Sequence, residues 1–204
     1  MSKNLLIVFE GIEGSGKTTH INYIAKYLKK NKKNYIKIRE PGGSKNSEII
    51  RRLILSNKSS FNNKTDLLLY LAARSENIDT LIKKNYRKKI ILIDRFVDST
   101  IAYQSSGMGL DNNVIKIINN FLLKNIKVDF TFLNLVNKEN LKKRLNKRKK
   151  KNRYDKFDFN FYKKVQRGFL KISKKKRNYM IINSNKDIKN NKKIILNKVI
   201  QLIK

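Results

Sequence analysis

Residues 5–18 constrain this chain more than any others. Leu5-Leu6-Ile7-Val8-Phe9 is short, continuous and apolar, and it runs through Glu10 into Gly11-Ile12-Glu13-Gly14-Ser15-Gly16-Lys17-Thr18. The apolar run reads as a buried strand. The segment after it matches G-x-x-x-x-G-K-[ST] in full. Its glycines let the backbone curl so that successive N–H groups aim at phosphate oxygens. Lys17 brings a point charge to the β- and γ-phosphates, and the Thr18 hydroxyl is placed to ligate Mg²⁺ directly. A helix starting near Lys17 adds its positive dipole end. A nucleoside-triphosphate site at residues 11–19 follows. Glu13 is unusual there, because bound phosphates repel an acid; it needs another task, such as accepting a hydroxyl. His20 reads as a surface or packing residue.

Four more short apolar runs recur, at Tyr35–Ile38, Lys89–Ile93, Asp129–Leu133 and Tyr179–Ile182. Helical spacing fills the intervals: Ile21, Ile24, Ala25 and Leu28 share one face, as do Leu67, Leu68, Leu71 and Ala72. Five strands alternating with helices predict an α/β fold, a five-stranded parallel sheet flanked by helices in three layers. No Gly-, Ser- or Pro-rich linker and no internal repeat divides the 204 residues, so a single domain over 1–204 is expected.

Composition narrows the chemistry. Cysteine is absent and histidine occurs once, which excludes disulfides, zinc–cysteine sites and a Ser-His-Asp triad. No apolar run reaches the ~18–20 residues of a membrane span, and the N-terminal run is too short for a signal peptide, so a cytoplasmic protein is expected. The net charge of +34 invites a nucleic-acid reading. Its make-up argues otherwise. Lys (38), Asn (27) and Ile (27) share A/T-rich codons and account for 92 of 204 residues, so most lysines read as solvated helix faces.

A second anion site is predicted opposite the loop. Strand two ends in Arg39-Glu40-Pro41-Gly42-Gly43-Ser44, and strand three ends in Asp94-Arg95. The carboxyl ends of parallel strands line the crevice where open α/β sheets bind ligands. Asp94 is placed to reach Mg²⁺ through water, and two converging arginines suit an acceptor that is itself a phosphate. A cis Glu40–Pro41 bond fits the turn.

In these segments the chain resembles the thymidylate kinases of bacterial type, members of the P-loop NTPase superfamily. The resemblance rests on Phe9-Glu10-Gly11-Ile12-Glu13-Gly14-Ser15-Gly16-Lys17-Thr18-Thr19, on Arg39-Glu40-Pro41-Gly42-Gly43 and on Ala72-Ala73-Arg74. It continues through Asp94-Arg95 to Ser99-Thr100-Ile101-Ala102-Tyr103-Gln104. It implies transfer of the ATP γ-phosphate to dTMP with Mg²⁺, in a homodimer. By the same resemblance Arg39 and Arg95 clamp the dTMP phosphate, and Glu13 approaches the 3′-hydroxyl. Tyr70 stacks on thymine, Arg74 reads a thymine carbonyl, Thr100 and Gln104 approach the base edge, and Tyr103 lies against the sugar.

Lid-bearing relatives place a phosphate-contacting arginine either in the loop or in the lid. The loop position here is Gly14, so the basic lid, about 147–156, is expected to supply it. Asn152-Arg153-Tyr154-Asp155 aligns with the family's Asp-Arg-x-Glu, which makes Arg153 the first candidate and Arg148 the second. Asn152, Asp155 and Gln166 depart from the pattern and are expected to loosen the closed lid. Adenine is expected near Asn183–Lys186. Two other readings stay open at this point: a kinase for another nucleoside monophosphate or a deoxynucleoside, and a basic nucleic-acid-binding protein. A nucleotide-dependent switch would leave the acceptor residues without a purpose.

Overall fold

The computed structural model describes residues 4–204. Five strands form: β1 (Leu6–Glu10), β2 (Tyr35–Arg39), β3 (Ile90–Asp94), β4 (Phe130–Leu135) and β5 (Tyr179–Asn183). They make one parallel sheet in the order β2-β3-β1-β4-β5. The register sets Phe9 opposite Asp94 and Asp94 opposite Arg39, so both predicted anion sites share one edge.

The helices are α1 (Lys17–Lys30), α2 (Lys45–Leu55), α3 (Asn63–Asn77), α4 (Lys83–Asn85), α5 (Val97–Thr100), α6 (Asn112–Leu123), α7 (Lys138–Asn146), α8 (Phe159–Ser173) and α9 (Ile188–Ile203). Alternation along β1 builds two layers from one strand. Leu5, Ile7 and Phe9 pack with Ile21, Ile24 and Leu28 of α1 and Ile195 and Val199 of α9. Leu6 and Val8 face the other way, against Ile78, Ile82, Phe96 and Ile126. Each such fully buried side chain contributes ~1.5–3 kcal/mol. Among the described residues no helix is long and apolar enough to cross a membrane.

Side chains cap most of the longer helices: Ser44, Asn62, Asp111, Asn137, Asp158 and Asp187 each accept an N–H of the first turn. Helix α1 differs. It starts after Gly16 at φ 91°, with no side-chain cap, at the sheet edge where a phosphate would complete it.

The amphipathic reading of α3 needs correction. Leu67 and Leu71 are buried, but Leu68 is 59% exposed and Ala72 is exposed as well. The inward face of α3 is partly polar, with Asp66, Arg74 and Asn77 all buried, because it borders the site rather than the core. Two stretches of π-helical hydrogen bonding, Ile78–Ile82 and Ile101–Gly107, were not legible as such in the sequence. The second carries Tyr103 and Gln104 and packs closely on α8, where a Cβ on Gly168 would come within 2.7 Å of Ser106 Cβ.

Candidate active site

A cavity of about 550 Å³ opens at the carboxyl edge of the sheet. Residues 13–19 of the loop form one wall, and Arg39, Tyr70, Arg74, Arg95, Thr100, Tyr103 and Gln104 lie elsewhere in the same lining. The strand ends therefore bring the two predicted sites together. Gly11 and Ile12 are not in the lining. Ile12 is a core side chain, and Gly11, at φ 137°, passes so close to Asn134 that a Cβ would overlap its carbonyl. Both act through their backbones: Arg95 Nη1 donates to Gly11 O at 2.7 Å and Lys17 Nζ to Ile12 O at 2.9 Å.

Burial and the Arg95 charge press the Lys17 ammonium down to about 8, against Asp94, Glu13 and Glu10, which raise it. Bound phosphates add negative charge and favour the protonated form further. Thr18 Oγ1 donates to Asp94 Oδ2 at 2.9 Å. A hydroxyl and a carboxylate side by side at the phosphate loop are hard oxygen donors of the kind Mg²⁺ takes together with phosphates and waters. Among the described residues no three acidic, His or Cys side chains gather to hold a metal by themselves. The donor set thus suits a metal that arrives with the nucleotide.

Beside the loop Arg95, at φ 67°, donates through Nη2 to Glu13 Oε1 at 2.8 Å and lies 5.1 Å over the Tyr103 ring. Burial raises the Glu13 carboxyl, but Arg95, Lys17 and the Tyr103 hydroxyl outweigh it and hold the carboxyl below its usual range. Glu13 therefore remains an anion, able to accept a hydroxyl. Arg39 is at the rim, forked onto Glu48 at 3.1 and 2.9 Å. Arg74 is 2% exposed, held by Glu40 at 2.8 Å and Asn119 at 2.7 Å. Thr100 is buried too, and the equally buried Gln104 Nε2 has no partner within the protein. An unpaired donor inside a cavity is costly unless a ligand answers it.

Two contributors carried little sequence signal. Arg51 of α2 lines the pocket and donates to Pro41 O, yet within α2 it looks like any surface arginine. Glu10 ends β1 fully buried and accepts Phe96 N at 2.9 Å and Ser99 N at 3.2 Å. Burial, then the Asp98 charge, push its carboxyl up to about 7, against the bonds from Ser99 and Phe96 and the Arg95 charge. It fixes the turn between Arg95 and α5. Its place directly before the loop glycine was the one available clue.

Of residues 183–186, Ser184 and Lys186 line the pocket, joined by Ile188 and Asn191. Arg144 bridges the loop and this segment, with Nη1 on Gly14 O at 2.9 Å and Nη2 on Ser184 O at 2.6 Å. His20 is buried in the pocket wall, 2.8 Å from Asn134 Nδ2, and burial with the Lys192 and Arg144 charges lowers it to about 4. It is a packing residue, neutral at pH 7.

The two arginine candidates of the lid are placed differently. Arg153 is outside the lining; it pairs with the Asp66 carboxylate and donates to Ile54 O, because Asp66 is buried beneath the lid turn and needs a cation. Arg148 lines the pocket and pairs with Asp155. The departures at Asn152 and Asp155 do not leave the turn unpinned. Asn152 Oδ1 accepts Tyr154 N at 2.8 Å and Asp155 Oδ2 accepts Asn152 N at 3.0 Å, a reciprocal cap on the turn Arg153–Lys156. Gln166 is likewise engaged, holding both the N–H and the carbonyl of Val136 at 3.1 Å.

A family model described as Thymidylate kinase matches residues 9–195. The chain belongs to the thymidylate kinase family. A thymidylate kinase of Sulfurihydrogenibium sp. is 39% identical over 198 residues, covering 96% of each chain. One of Thermosipho africanus is 37% identical over 187 residues, 91% of this chain and 92% of the relative. The crystal structure of thymidylate kinase from Ehrlichia chaffeensis superposes with a TM-score of 0.78 at 33% identity, covering 97% of this chain and 98% of that one. The fold is thus that of thymidylate kinases, and it extends over nearly the whole chain.

Proposed function

We propose that the protein transfers the γ-phosphoryl group of ATP to dTMP, giving ADP and dTDP. The observation that carries this reading is one continuous cavity with the phosphate loop on one wall and Arg39, Arg95, Tyr70, Arg74 and Gln104 on the rest. ATP lies along residues 13–19 with adenine toward Ser184, Lys186 and Asn191. The dTMP phosphate meets Arg95 and Arg39, with Arg51 beside them. Glu13 and Tyr103 take the sugar, Tyr70 stacks on the base, and Arg74, Thr100 and Gln104 address its edge.

The chemistry is positioning and charge neutralisation, since the acceptor is already an anionic phosphate and needs no strong base. Lys17 and Arg95 offset charge from the two sides of the transferring group, and Arg148 approaches from the lid. Mg²⁺ would be held by Thr18 and, through water, Asp94; when bound with ATP it neutralises phosphate charge. Residues 1–204 work as one catalytic domain with its lid at about 147–156, placed in the cytoplasm with its nucleotide substrates.

A panel of dTMP, dUMP, UMP, CMP, AMP and GMP, each with ATP and Mg²⁺ in a coupled assay, tests the reading. dTMP is expected to give the highest kcat/KM, and dominant activity on a base other than thymine would overturn it.

We place the homodimer on α2, α3 and α6. These three leave Leu53, Leu68, Val114, Ile117 and Phe121 exposed, with Ile117 at 67% and Phe121 at 71%. Water contact at that many large apolar side chains favours association. Sedimentation velocity is expected to show a dimer for the wild type and a monomer for Phe121→Lys; unchanged sedimentation of the variant would reject this face.

A further inference from the structure

Asp66 is in the first turn of α3, 2% exposed, and belongs to none of the nucleotide-binding motifs. The lid occupies both of its oxygens. Oδ1 takes Arg153 Nη2, and Oδ2 takes the Tyr154 hydroxyl at 3.0 Å. Arg153 Nε also donates to the Ile54 carbonyl, and Asn57 Nδ2 reaches Lys151 O at 2.9 Å. The lid is thereby tied to the acceptor side, since α3 carries Tyr70 and Arg74. Contact with that side continues through Tyr154, whose ring lies edge-on to Tyr70 and Tyr103 at 6.0 and 6.2 Å between centroids. The next residue, Asp155, holds Arg148. One short turn, anchored by one carboxylate, touches the acceptor rings and aims a pocket-lining arginine.

We propose that Asp66 is a positioning residue for phosphoryl transfer: it docks the Arg153–Lys156 turn on the acceptor helix and so fixes where Arg148 meets the transferring phosphate. This rests on Arg148 being the lid arginine of the reaction. A buried carboxylate that served stability alone would alter the folded fraction and leave turnover per folded enzyme unchanged. A positioning group alters kcat, and its effect disappears once the group it positions is gone.

The experiment compares Asp66→Asn, Arg148→Ala and the double variant as full-length proteins, with kcat and both KM values scaled to the folded fraction from thermal unfolding. Asp66→Asn is expected to lower kcat ~10–100-fold with each KM within ~3-fold, the range for displacing a reacting group by about an ångström. The double variant is expected to be no more than ~3-fold below Arg148→Ala. A large Arg148→Ala loss beside an Asp66→Asn kcat within ~2-fold of wild type overturns the proposal alone, as do losses that multiply fully in the double variant. A near-wild-type Arg148→Ala overturns the Arg148 assignment and the proposal with it. Should Asp66→Asn not fold, Tyr154→Phe removes only one of the two bonds to the same carboxylate. It is then expected to lower kcat ~5-fold or more, again only when Arg148 is present, and an unchanged kcat overturns the proposal.

Discussion

Arg95→Ala is expected to lower kcat/KM for dTMP by ~10³-fold, because truncating one partner of a hydrogen-bonded charge contact to a bound group costs ~2–5 kcal/mol and each ~1.4 kcal/mol is a factor of ten. Two effects act in the same direction. The variant loses the donors proposed for the acceptor phosphate, and it strips Glu13 of the cation that faces it at 2.8 Å. An uncompensated carboxylate then repels the incoming dianion. Arg95→Lys should recover little, since one ammonium cannot serve Gly11 O, Glu13 and a phosphate in the geometry of a planar fork. Steady-state kinetics at saturating ATP measure this, and a loss under ~10-fold would remove Arg95 from the acceptor clamp. The double variant Arg95→Ala with Glu13→Gln is expected to be less impaired than Arg95→Ala alone, the signature of a pair acting as a unit.

The second large effect belongs to the lid. Arg148→Ala is expected to cut kcat ~10³-fold with KM for either nucleotide little changed, the pattern of a group felt chiefly in the transition state. Arg153→Ala should cost less, ~10–100-fold in kcat, because its guanidinium is spent on Asp66 and Ile54 O and acts on the reaction only by docking the turn. The order of the two variants decides the assignment. If Arg153→Ala proves the more damaging and Arg148→Ala loses only a few-fold, the motif-based order was right and the pocket lining misleads.

That contrast shows where sequence reading stops. The sheet was legible because its three central strands are buried on both faces: runs such as Ile90-Ile91-Leu92-Ile93 admit little else. The loop was legible because its function is performed by backbone geometry, which demands glycines at set intervals. Arg39, Asp94 and Arg95 could be placed because strand ends converge in a parallel sheet. Arg153 shows the physical reason: a motif marks where an arginine stands, but its direction depends on Asp66, 87 residues away in sequence. Arg51, Arg144 and Glu10 share that difficulty, each defined by partners brought in from another element. On α3 a helical period was seen, yet two adjacent apolar stripes could not be told apart until α6 and the exposed dimer candidate face separated Leu67 from Leu68.

Gly14 bears on how such enzymes exchange one design for another. Its φ is +66°, and a Cβ there would lie 3.4 Å from Leu141 Cδ1 and 3.5 Å from Arg144 Cβ. A Cβ would thus meet α7 only in ordinary contact, beside the Arg144 that joins the loop carbonyl to Ser184, and the left-handed backbone is what favours glycine at position 14. An arginine at position 14 would take on the strain of a left-handed backbone, ~1–2 kcal/mol. The cost of a loop-borne arginine here is thus set by one backbone dihedral rather than by the packing of α7.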